Sequence, residues 1–264
     1  MALPETGQVR YAVQTHVGKV RAANEDSVLA LPDQKLWAVS DGMGGHKNGA
    51  FASQTVTEAL AALQPGLEGG QLMQAAREAL LAAHRTILDE SARHGGATIG
   101  ATAVVLLLSN AHFACLWAGD SRLYLLSQGA LTRVSRDHSL VADLVDAGKL
   151  TDEEAEAHPQ ANVITRAVGV GESLEIDKRS GTVLPGDRFL LCSDGLTRYA
   201  DDAHLEFVLS TEPIETVASK LLDIALEGGG ADNISVIVVD IPPAAQGGGE
   251  DTESTLLPRS GGGE

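Results

Sequence analysis

The chain has 264 residues, 44% of them hydrophobic, enough for one large domain or two small ones with a substantial core. Its 36 acidic against 19 basic residues give a formal charge of −17 with no basic run to offset the acid, so nucleic acid and anionic membrane surfaces are excluded as partners. The opening Met1-Ala-Leu-Pro-Glu5 lacks a basic stretch followed by an apolar one, and no apolar run approaches the roughly 18 residues of a spanning helix, which predicts a cytoplasmic protein.

In chain order, apolar alternation and β-branched content predict strands near Val9–Val17, Ser27–Leu31 and Lys35–Ser40. Gly49–Leu63 and Gln71–Arg93 follow, with apolar residues at three- and four-residue spacing, as in an antiparallel helix pair. Strands return near Ala101–Leu108, Ala111–Trp117 and Arg122–Ser127, and Ser127-Gln-Gly-Ala130 reads as a hairpin turn. Val141–Asn162 breaks the pattern with acidic residues, His158-Pro159 and weak periodicity, so a partly helical flap is expected there. A strand at Arg188–Cys192, a helix at Ile214–Leu226 and a strand at Ile234–Ile241 complete the series. Strands, a helix pair, more strands and a late helix imply an α+β sandwich in one domain, residues 1–241. The Pro- and Gly-rich, acidic residues 242–264 read as a disordered tail. Cys115 and Cys192 lie inside apolar strands as core filling, and two cysteines cannot make a cysteine zinc site.

The chemistry lies where strands stop. Leu36-Trp-Ala-Val-Ser-Asp41-Gly, Leu116-Trp-Ala-Gly-Asp120 and Phe189-Leu-Leu-Cys-Ser-Asp194-Gly each drive an apolar run into an aspartate, and Asn24-Glu25-Asp26 and Asp232-Asn233 flank other strands. Asp-Gly and Gly-Asp are ordinary turn dipeptides, so each alone is equally a turn. Together, strand ends of one sandwich converge on one rim, and carboxylates gathered there repel one another and raise their own pKa values. A divalent cation resolves that conflict. Oxygen ligands suit hard Mg²⁺ or Mn²⁺, and glycine after Asp41 lets backbone approach closely and leaves the Gly42 carbonyl available.

The ordered series Arg21-Ala-Ala-Asn-Glu25-Asp26, Asp41-Gly-Met-Gly-Gly45, Gly100-Ala-Thr-Ala103, Gly119-Asp120-Ser-Arg122, Asp137-His-Ser139, Ile164-Thr-Arg-Ala-Val-Gly169, Ser193-Asp194-Gly-Leu-Thr197 and Asp232-Asn233-Ile-Ser235 closely resembles the bacterial type-2C (PPM family) metal-dependent Ser/Thr protein phosphatases. The resemblance runs from Val9 to about Asp240. It implies a four-layer α-β-β-α sandwich, two mostly antiparallel sheets flanked by antiparallel helix pairs, with two Mn²⁺ or Mg²⁺ ions. By motif, Asp41 would bridge both ions and the Gly42 carbonyl would bind one. Asp194 and Asp232 would complete the first site, Glu25 would serve the second, and Asp26 would hold metal-bound water. Asp120, with Asp194, matches the position of a weaker third ion. Arg21 matches the family's phosphate-binding arginine, whose planar guanidinium grips two phosphate oxygens at once.

The implied reaction is hydrolysis of phosphoserine and phosphothreonine by direct attack of a hydroxide bridging the two metals. Arg21 and the metal charge would stabilise the phosphoryl oxygens. No cysteine lies in a phosphate-cradling loop and no Ser-His-Asp order is evident, so no covalent phosphoenzyme is expected. Met43 stands where many eukaryotic members place a histidine as general acid. His46 is read as solvent-facing or a local cap rather than that acid, and metal-bound water as the proton donor. His138 is read as structural, with Asp137 or Ser139 capping a following helix. Gly95-Gly-Ala-Thr-Ile-Gly100 lacks the Gly-Lys-Ser/Thr ending of a phosphate loop and leads into a core strand instead. The flap, bordering the rim, is expected to contribute to substrate choice and to access for a third ion. The expected partners are phosphorylated proteins, among them a Ser/Thr kinase that the enzyme, a monomer, opposes. Alternatives are a catalytically weak phospho-binding or metal-sensing relative, a phosphatase dedicated to an anti-sigma antagonist, and a structural domain whose carboxylates are turns.

Overall fold

The structure, a computed structural model, describes residues 9–45, 47–151, 154–155 and 158–242. The proposed tail after Pro242, His46 and part of the flap lie outside the described residues. The chain begins with β1 (Arg10–His16), β2 (Ser27–Leu31), β3 (Leu36–Ser40) and the short β4 (Gly42–Met43), then α1 (Lys47–Ala61) and α2 (Gly69–Arg93). The short β5 (Gly100–Ala101) precedes β6 (Ala103–Ser109), β7 (His112–Ala118), β8 (Arg122–Ser127), β9 (Ala130–Arg133) and α3 (Leu140–Asp146). β10 (Asp177–Thr182), β11 (Arg188–Cys192), α4 (Asp194–Thr197), α5 (Asp202–Thr211), α6 (Ile214–Glu227) and β12 (Ile234–Asp240) complete the fold.

Two five-stranded sheets form, in the orders β1-β12-β11-β8-β9 and β10-β7-β6-β3-β2. Every pairing within them is antiparallel. The two-residue period of a strand explains the layering. In β3, Leu36 and Ala38 face a core shared with α1 and α2, while Trp37 and Val39 face the space between the sheets. In β12, Val236 and Val238 pack against α5 and α6, while Ile237 and Val239 meet Phe189 and Leu191 between the sheets. Central strands are thus covered on both faces, and that is why they read as unbroken apolar runs rather than alternating ones. The result is the expected α-β-β-α sandwich.

Sequence and structure differ at polar elements. Asp177-Lys-Arg-Ser-Gly-Thr182 was not expected to be a strand, yet as β10 it pairs with β7 at a sheet edge, where five of its six residues carry polar or charged side chains facing water or the rim. α5 was also missed, and Asp201 caps it by accepting the His204 N–H at 2.8 Å. The flap begins as α3, capped by Ser139 as expected, while Asp137 instead accepts three guanidinium hydrogen bonds from Arg122. Both cysteines are buried, as expected of core filling.

One ion pair ties three elements at the end of the sandwich away from the aspartates. Arg188 on β11 donates to Asp240 on β12 at 2.6 and 3.0 Å, and its third nitrogen reaches the carbonyls of Leu209 and Glu212 that end α5. Both partners are nearly buried, so removing Arg188 leaves two carbonyls without a donor and Asp240 with only the half-exposed Arg10 as its cation. Arg188→Ala is expected to lower unfolding free energy by about 3 kcal/mol, read by urea denaturation. Arg10→Ala, at the exposed side of the same carboxylate, should cost less than about 1 kcal/mol. Equal costs would show that burial does not set the strength of this pair.

Candidate metal centre

The rim is built by locking strand ends to one another. The Asp41 N–H, just past β3, donates to Thr102 Oγ1 at 2.9 Å, and the Thr102 N–H returns a bond to the Asp41 carbonyl at 2.8 Å. Ser40 Oγ donates to the Thr102 carbonyl at 2.6 Å, and Thr102 Oγ1 lies 2.7 Å from Ser121 Oγ. Asp41 and Asp120 are therefore referenced to the same threonine. Gly119 has φ +112°, and a Cβ there would come within 2.6 Å of the Thr102 side chain, so the approach of β7 to β6 requires glycine.

The other half of the rim comes from the partner sheet. Asp194 follows β11 and Asp232 precedes β12, and the Asn233 side chain staples this end to the Arg21–Glu25 loop. Asn233 Oδ1 accepts the Glu25 N–H at 2.8 Å, while Nδ2 donates to the carbonyls of Val17 and Ala23, each at 2.9 Å. Glu25 is directed toward the start of α1. A Cβ at Gly49 would lie 2.5 Å from Glu25 Oε2 and 3.0 Å from the Gly42 carbonyl oxygen, so these two oxygens face one spot that only a glycine leaves open. Asn233, Thr102 and Gly49 were assigned no role from sequence, because their work depends on which strand ends meet.

Arg21, Glu25, Asp41, Gly42, Asp120, Asp194 and Asp232 line one cavity of about 440 Å³, together with Met43, Asn162, Ile164 and Arg198. Asp26 stands behind its wall, with Oδ2 accepting from Ser193 Oγ at 2.8 Å. A larger hollow of about 590 Å³ lies between β1 and α6, but its ionisable lining is only Arg10, Tyr11 and Glu215, so the smaller one is the candidate site. Two cations hold carboxylates in the smaller cavity. Arg21 donates to Asp232 at 2.8 Å, and Arg198 to Asp194 at 3.3 Å.

Burial pushes the Asp26 and Asp120 carboxyls up to about 7, in Asp120 with help from the neighbouring Asp194 charge. Asp41 is raised well above the ordinary value by burial and then by the charges of Asp26, Asp194 and Asp120. Asp194 is raised by burial and by Asp232, against the opposing pull of Arg198. Asp26 Oδ1 and Asp194 Oδ1 are buried with no hydrogen-bond partner. Crowded carboxylates, unsatisfied oxygens and an open carbonyl are what a hard divalent cation relieves. Among the described residues no three acidic, histidine or cysteine side chains already close around one point.

His138 is buried, as the structural reading expects. Its Nδ1 accepts the Gly119 N–H at 3.1 Å, its Nε2 faces Asp177 at 3.2 Å, and its ring stacks on Trp117.

The protein phosphatase 2C family model matches residues 12–143. The Ser/Thr protein phosphatase PstP of Mycobacterium tuberculosis is 39% identical over 234 residues, covering 88% of this chain and 45% of that protein. The chain thus spans about half the length of this relative. The solved structure of PppA, described as a key regulatory component of T6SS in Pseudomonas aeruginosa, matches with TM-score 0.82 and 42% identity over 88% of this chain and 97% of that one. The catalytic domain of PstP in complex with two manganese ions matches with TM-score 0.81 and 37% identity, over 89% and 98%. The chain belongs to the protein phosphatase 2C family.

Without metal, the raised carboxyls make the folded state hold protons that the unfolded state has released. Stability in EDTA should therefore fall as pH rises from about 4, the ordinary carboxyl value, through about 7, and excess Mn²⁺ should flatten the fall. Guanidinium denaturation midpoints check this. Asp120→Asn should show a shallower fall in EDTA than the wild type, and a steeper one would contradict the assignment of a raised, burial-driven carboxyl to Asp120.

Proposed function

We propose that the protein is a metal-dependent phosphoprotein phosphatase that removes phosphate from phosphoserine and phosphothreonine and so opposes Ser/Thr kinases. The observation that carries this reading is the convergence of five carboxylates, the Gly42 carbonyl and Arg21 on one cavity. Asp41, Asp194 and Asp232 would hold one ion, and Glu25, Asp41 and the Gly42 carbonyl the other. Asp120 with Asp194 offers a third position, and Asp26 supports them from behind. When bound, Mn²⁺ or Mg²⁺ supplies positive charge and lowers the pKa of water enough to furnish a nucleophile at neutral pH.

Arg21 binds and orients the phosphoryl group once its carboxylate partner Asp232 is taken over by an ion. Its side chain is 55% exposed, so reorientation costs little packing. Met43 lines the cavity at the position of the eukaryotic histidine and moves no proton, so the leaving oxygen must take its proton from water. Asn162 and Ile164, at the end of the flap, form another wall, which supports a role for residues 141–162 in choosing substrates. Among the described residues no helix is long and apolar enough to cross a membrane.

Hydrolysis of a phosphothreonine peptide in Mn²⁺, absent in EDTA and in Asp194→Asn, is the expected result. Arg21→Ala should lower kcat/KM by about a hundredfold, while Mn²⁺ binding by calorimetry persists. Mn²⁺ binding with no hydrolysis by the wild type would favour the phospho-binding alternative. Absence of both would return the rim aspartates to turns.

A further inference from the structure

Arg198 carries a charge for which the reading above has no use. It sits one helical turn past Asp194, at the end of α4, and lines the cavity beside Asn162 and Ile164. Its side chain is 34% exposed, and its bond to Asp194 Oδ2, at 3.3 Å, is half an ångström longer than the one Arg21 makes to Asp232. The cavity lining holds five carboxylates and two guanidiniums. Of the two guanidiniums, Arg21 is the one assigned to the phosphate, so Arg198 is the cation lining this cavity to which the reaction gives no part. An ion on Asp194 also engages the carboxylate that Arg198 now holds, leaving the guanidinium in need of another anion.

We propose that Arg198 is a specificity-determining residue that receives a second anionic group, a carboxylate or another phosphate, carried by the substrate chain beside the phosphorylated residue. The inference rests on the phosphatase reading. A planar guanidinium at the rim, between α4 and the flap, meets the chain on either side of the bound phosphoresidue and pairs with both oxygens of such a group. The interaction is absent with a neutral flank, so it shows as a difference between substrates.

The test compares kcat/KM of the Mn²⁺-loaded full chain on three phosphothreonine peptides whose flanking positions carry alanine, glutamate or a second phosphothreonine. Wild type is expected to prefer an anionic flank by about three- to tenfold, mainly through KM. Arg198→Gln should bring that ratio close to one, and Arg198→Lys should recover part of it. Preference for the glutamate peptide identifies a carboxylate, and preference confined to the doubly phosphorylated peptide identifies a phosphate. Calorimetry supplies a readout apart from turnover. Arg198→Gln should bind Mn²⁺ as tightly as wild type or more tightly, because a competing cation has gone. Weaker Mn²⁺ binding would make Arg198 a support for Asp194 and overturn the proposal, as would a wild type indifferent to the flank or a preference that survives in Arg198→Gln. A wild type that turns over none of the peptides would bring down the phosphatase reading itself, a result distinct from turnover without discrimination.

Discussion

Mutual repulsion among the rim carboxylates is the constraint on which the rest of the structure depends. Left to themselves, Asp41, Asp120 and Asp194 would move apart or swing into water, where their charge is well solvated. They are held because each is anchored through backbone that belongs to a packed strand. The threonine and serine hydroxyls of Thr102, Ser121 and Ser193 tie those backbones and side chains together where helices and sheets leave no room to relax. Burial, reinforced by the neighbouring charges, therefore raises their pKa values, and a divalent ion bound there, as proposed, would meet a site already assembled by the apolar sandwich.

The two sheets contribute unequally to this rim, and the division matters. Asp41 and the Gly42 carbonyl come from the sheet under α1 and α2, while Asp194 and Asp232 come from the sheet under α5 and α6. Asp120 lies on the crossing from β7 to β8, which changes sheets. Any ion shared between Asp41 and Asp194 consequently bridges the sandwich at one end, while Phe113 and Phe189 join it through an edge-to-face contact within the inter-sheet core. A metal ion held there, as proposed, would thus belong to the sheet-to-sheet interface as well as to a chemical site.

Much of this was legible in the sequence because burial on both faces writes itself as continuous apolar runs, and a strand that ends in Asp-Gly announces both a turn and a ligand. The helices at Lys47–Ala61, Gly69–Arg93 and Ile214–Glu227 could be read from their period, and the central strands from their continuous apolar runs. β10 could not, since Asp177-Lys-Arg-Ser-Gly-Thr182 takes its extended form from pairing with β7 rather than from its own composition. The acids were visible as types at strand ends. Their supports were not: Asn233 reaches three groups more than 200 residues away or at the far side of a loop, and Arg198 matters only because α4 points it into the cavity. Local pattern identifies what a residue is able to do, whereas tertiary contact decides whether it does so.

The polar strand β10 has a consequence beyond completing its sheet. A strand at a sheet edge offers unpaired amide and carbonyl groups to any other extended chain. Here that edge displays Lys178, Arg179 and Ser180 as exposed side chains beside Asp177. A second molecule docking strand to strand would have to strip water from two cations, so on this side the fold guards itself against self-association and fibril growth with charges that serve no chemistry.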